Sequence, residues 1–99
     1  MNQPLRAVEY LTTGFPEEMG ATFAKRLLAD GNIEIPDLQV DLHGLPSRLL
    51  ISAFFNGFLQ AVHELAPEEL DNARNIQWLP RFEFQRRTIQ TWMDTFTPC

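Results

Sequence analysis

Cysteine is nearly absent from this chain: the only one is Cys99, at the last position. No internal disulfide can form, and zinc sites built from several thiolates are excluded. Basic residues are also few. Eight Lys and Arg stand against thirteen Asp and Glu, for a formal net charge of -5. Phosphate backbones are held by clustered cations that release counterions, and only Arg81, Arg86 and Arg87 gather in one place. Nucleic acid is therefore disfavoured as a partner, as is an anionic membrane surface. Apolar runs fall well short of a bilayer span. Met1 to Arg6 lacks the basic-then-apolar layout of an export signal. The five glycines, at 14, 20, 31, 44 and 57, are scattered and make no phosphate-cradling loop. These absences lead to the expectation of a cytoplasmic protein without metal or cofactor.

What the chain does have is bulky apolar material. Of its 99 residues 44% are hydrophobic, with eight Phe and two Trp among them. A chain of this length supports one core, so a single domain over residues 1–99 is expected. Large aromatic side chains are how so small a core offsets its chain entropy.

Periodicity gives the order of elements. Leu5 to Leu11 reads as an edge strand with imperfect alternation. Pro16, Glu17 and Glu18 suit a first helical turn, and Met19, Phe23 and Leu27 form an apolar stripe closed by Asp30-Gly31. Ile33 and Ile35 hint at a short strand before Pro36-Asp37. Leu38, Val40 and Leu42 alternate with Gln39 and Asp41, the clearest strand in the chain. A wide apolar helix follows, starting near Ser47 or near Ser52. It carries rows of Phe55, Leu59 and Val62 and of Phe54, Phe58, Ala61 and Leu65. Asn75 to Leu79 reads as another strand, and Phe82, Ile89, Met93 and Phe96 as a final helix. The expected fold class is α/β: a small mixed sheet containing a parallel βαβ unit, with helices packed on it.

Candidate chemistry gathers where strands give way to helices. His43, Gly44, Ser47 and Ser52 follow one strand, and Pro80 and Arg81 the next. Ser52 near a helix start reads first as a cap, and alternatively as a phosphorylation site favoured by the helix dipole. Asp41, His43 and Ser52 contain the residue types of an acyl-transfer triad. The flanking glycines of a nucleophile turn are missing, however, and no oxyanion hole is evident. His43 and His63 form no metal-ligand spacing. Glu68, Glu69 and Asp71, like Arg86 and Arg87, read as solvated faces, with partner binding as the alternative.

The segments "LQVDLHGL" and "LLISAFFNGFLQAV", with a helix after "TTGFPEEMG", resemble the STAS-like domain family, small relatives of the anti-sigma factor antagonist fold. Asp41, Gly44 and Ser52 match that family's strand, turn and helix-start serine, and Phe55, Phe58 and Leu59 its apolar helix. The loop from Gly44 to Ser52 is longer than the antagonist pattern, and the Asp-Ser dipeptide of the phosphorylated members is absent. The resemblance implies a non-enzymatic regulatory module of bacterial or phage origin, paired with an ATPase of the histidine-kinase type. On that reading Gly44, Ser47, Arg48, Ser52 and Asn56 form the partner surface and Ser52 is a candidate for phosphorylation. Two other readings remain. One is a small-molecule-binding or catalytic protein using the rim around Asp41, His43 and Arg81. The other is a homo-oligomer joined through the helix carrying Trp92.

Overall fold

The computed structural model describes residues 4–10, 14–30, 34–46, 48 and 51–98. Three strands and four α-helices follow in the order β1 (Leu5–Arg6), α1 (Pro16–Ala29), β2 (Gln39–Asp41), α2 (Ser52–Leu65), α3 (Leu70–Arg74), β3 (Gln77–Leu79) and α4 (Phe84–Thr95). Single 3-10 turns occupy Ala7–Tyr10 and Pro67–Glu69. The chain is thus an α/β protein, and the parallel pairing expected of its two later strands is present. The sheet is not mixed. Both pairings are parallel, in the order β1-β2-β3, with Arg6 opposite Asp41 and Asp41 opposite Leu79.

That order settles where the helices go. Parallel crossovers are right-handed, so strands laid down in one direction send their connecting helices to the same face. Burial follows suit. Val40 and its neighbour Trp78 are buried beneath helices, whereas Gln39 and Gln77 are exposed on the other face and joined by a 3.0 Å hydrogen bond. Parallel sheets are usually covered on both sides. This one has two layers and a polar outer surface.

Under the helices lies one apolar cluster. Trp78 meets Phe23, Phe55 and Phe58 edge-on, with centroids 6.2, 5.1 and 5.4 Å away. Such pairs each add about 0.5–1.5 kcal/mol beyond simple burial. Phe23, Phe54, Phe55 and Phe58 have no exposed surface. The expected rows of α2 face this core, except that Leu65, at its end, is 57% exposed. Helices α1 and α2 touch backbone to backbone. A Cβ on Gly20 would run into the Phe54 carbonyl, and one on Gly57 into the carbonyl of Glu17. Glycine at both positions lets the aromatic rows close over the sheet.

Several boundaries differ from those the sequence suggests. The first strand ends at Arg6 rather than Leu11, because β2 stops at Asp41 and leaves Ala7–Tyr10 no strand to pair with. Ile35 is buried outside any strand, in a turn where Leu38 N–H donates to its carbonyl at 3.0 Å. Asp37 in that turn has a φ of 64°. Of the two starts the sequence leaves open for α2, the structure has the one at Ser52. Phe82 precedes α4 and is exposed rather than part of its buried row. At the far end of α4, the Arg74 guanidinium donates to the carbonyls of Met93 and Phe96 at 2.9 and 2.7 Å and lies 5.7 Å from the Phe96 ring centre. It satisfies carbonyls that a helix end leaves unpaired.

Candidate functional site

All three strands finish at one end of the sheet, and the turns and helix starts that follow them gather there. On the outer face of β2, Asp41 is flanked in register by Arg6 and Leu79. Its carboxylate Oδ1 accepts from the backbone N–H of His43 at 2.8 Å and lies 2.6 Å from His43 Nδ1. The His43 N–H, chiefly, holds the Asp41 carboxyl below the usual range; its ring and the nearby Arg6 add to this, against partial desolvation. An ionised carboxylate only accepts hydrogen bonds, so Nδ1 carries the proton and Nε2 is left as the ring's other nitrogen. The arrangement can orient an imidazole at the surface. Its His side chain is 59% exposed.

Of the rim residues expected from sequence, Asp41 and His43 are therefore brought together. Arg81 is engaged elsewhere, with its guanidinium 5.3 Å above the Phe82 ring. After His43, a further and smaller effect on Asp41 comes from Arg6, one strand away, which the alternation of β2 alone could not reveal.

The expected partner surface divides in two. Gly44 is exposed in the loop with a φ of +93°, a conformation L side chains rarely adopt, beside Val8. Ser47 lies outside the described residues. Arg48 is exposed. Ser52 is the first residue of α2 and is exposed; Ile51 holds the cap position, and no side chain caps the helix. The capping role expected of Ser52 is thus not the one it plays. Asn56 follows one turn later, also exposed. Ser52 and Asn56 line one groove of about 810 Å³ with Gln60, Trp92 and Phe96. Trp92 is half-buried, its ring 5.5 Å from Phe55. Among the described residues no group of three His, Cys, Asp or Glu side chains could hold a metal ion, and no helix is long and apolar enough to cross a membrane.

A second feature escaped the sequence reading. Phe84 is 75% exposed and stacks on Phe82 at 5.8 Å with ring planes 20° apart. Arg86 pairs with Glu83 at 3.1 Å, and Arg87 lines the same shallow hollow as Phe84. The signal was there: two Phe separated by one residue cannot both join a stripe of period 3.6. With Phe15 and Ile51, four of the five large apolar side chains exposed among the described residues sit at the starts of the three helices that follow the strands.

Fold and rim together define a two-layered α/β domain with a parallel three-stranded sheet. No family model, curated protein or solved structure matches the chain.

Proposed function

We propose that this chain is a non-enzymatic regulatory protein–protein interaction module of the STAS-like kind. Its partner surface is the loop at Gly44 and Arg48 continuing onto Ser52 and Asn56 of α2, and its partner is an ATPase of the histidine-kinase type. The observation that carries the reading is the state of Ser52. Its hydroxyl is exposed at the positive end of a 14-residue helix and makes no capping bond. A phosphate there would meet exposed backbone N–H groups and a favourable dipole. The strand order supports the same reading, since strands laid down in sequence leave no reversal of order at which α/β sheets form ligand crevices.

Affinity purification with mass spectrometry tests this, comparing wild type with Asn56→Arg and Ser52→Asp. The expected result is an ATPase recovered with wild type and lost with Asn56→Arg, together with phosphate on Ser52. Identical recovery from all three chains would remove the proposal.

One observation favours a different reading, in which the rim binds or transforms a small molecule: the Asp41–His43 pair at 2.6 Å. It predicts a ligand-dependent rise in melting temperature that His43→Ala abolishes while leaving the apo protein folded.

A further inference from the structure

Beyond the two ends of the sheet lie surfaces of different character, one with projecting rings and arginines and the other with an apolar hollow and carboxylates. At the end where β3 finishes, Phe82 and Phe84 project from the surface among Arg81, Arg86 and Arg87. At the other end, where the chain enters β2 and leaves α2, lies a groove of about 510 Å³. Its floor is apolar, with Leu28, Ile35 and Ala66, and its margins carry the carboxylates of Glu34, Glu68 and Glu69. Leu65, a further exposed large apolar side chain among the described residues, stands next to Ala66 at 57% exposure.

We infer that the Phe82–Phe84 knob of one copy of this chain seats in the Leu28–Ala66 groove of another. Arg81 on the Phe82 ring and Arg87 would then face the groove's carboxylates, with Arg86 shared between them and its own Glu83. The occupant follows from complementarity of two kinds. An aromatic ring pair needs an apolar floor, and a cluster of guanidinium groups needs an acidic rim. This chain supplies both to itself, in a molecule of net charge -5 where Arg81, Arg86 and Arg87 form the largest gathering of basic residues. Within one copy the two surfaces cannot meet, because they lie at opposite ends of the same three strands. The contact is therefore heterologous: knob and groove are different patches, and each added copy presents a fresh one of each. Assemblies grow head to tail, as open chains or closed rings. The inference does not depend on the STAS-like reading, whose surface is the Gly44 loop and the exposed side of α2.

Sedimentation velocity on the full chain, from micromolar to millimolar concentration, tests it. The expected wild-type result is a weight-average mass that climbs above 11.4 kDa with concentration. A knob-blocked chain (Phe84→Ser with Arg87→Glu) and a groove-blocked chain (Glu34→Lys with Glu68→Lys) each remain monomeric, with an unchanged circular dichroism spectrum. All four substituted positions are exposed, so folding is not at stake. Mixed in equal amounts, the two variants retain one working surface each and give a doubling of mass that stops at the dimer. A wild-type chain that stays monomeric throughout overturns the inference, even if Phe84 proves to hold some other acidic protein. So does association that survives both sets of substitutions, or a mixture that yields no dimer.

Discussion

The helical layer and the outer face of the sheet are built to different tolerances. Between α1 and α2 two backbones meet at Gly20 and Gly57 with no room for a methyl group, and three phenylalanines with no exposed surface, Phe23, Phe55 and Phe58, close around Trp78. On the outer face, Gln39, Gln77 and Arg6 lie in solvent, with a side-chain hydrogen bond between the glutamines, a loose 3.8 Å ion pair from Arg6 to Glu9, and the Asp41–His43 contact at the strand end. The first region cannot change shape without moving helices. The second can lose most of its side chains and keep its backbone. A surface free to vary next to an interior that is not is where recognition can be tuned without unfolding the scaffold.

Substitutions of decreasing severity sharpen this contrast. Phe58→Ala should cost the most, about 3–5 kcal/mol, since the ring is wholly buried against Trp78 and Phe23. Phe15→Ser, at 74% exposure, should change stability by no more than about 0.5 kcal/mol. Urea denaturation of both breaks the comparison if the two costs are similar. Gly57→Ala comes next. Alanine gains about 1 kcal/mol of helix propensity, but its Cβ meets the Glu17 backbone, and the net expectation is a loss of about 1–3 kcal/mol. Gly44→Ala tests the loop by a different mechanism. Space around it is ordinary, with Val8 at 3.8 Å, so the left-handed φ alone should cost about 1 kcal/mol.

The smallest effect concerns pH. The folded-state pKa of Asp41 is depressed, so its contribution to stability is present above the unfolded carboxyl range, about pH 4, and is lost as pH falls through the folded value. Because the His43 backbone N–H is the leading cause, His43→Ala should keep most of the depression. Carboxyl titration by NMR would show this, and a return of Asp41 to the ordinary range in that variant would mean that the imidazole, not the turn, holds the charge.

How much of this was legible beforehand depended on what each feature needs. Helix α1 and the β2-α2-β3 unit were readable because their apolar periods are internal to each segment. The end of β1 was not, since whether Ala7–Tyr10 extends depends on how far β2 runs beside it. The pairing of Asp41 with His43 was half visible as two residues sharing a strand face, but Arg6 joins them only through register. Gly20 and Gly57 looked scattered in the chain, because a close approach belongs to two helices and is written in neither. The exposed Phe84 was assigned no role because hydrophobicity alone does not say on which side of a helix start a ring will fall.

Arg74 has a consequence for how the molecule comes apart. Helix α4 is the last element described, and carbonyls at its end and just beyond, of Met93, Asp94 and Phe96, are gathered by this guanidinium reaching from α3. Withdrawing that hand would leave α4 held chiefly by Ile89, Met93 and the Trp92–Phe55 contact, and lower the cost of opening the C-terminal segment while α1, α2 and the strands stay joined. Trp92, which rides on α4 against Phe55, would meet water first, and tryptophan fluorescence would report that opening before the rest of the protein had begun to melt.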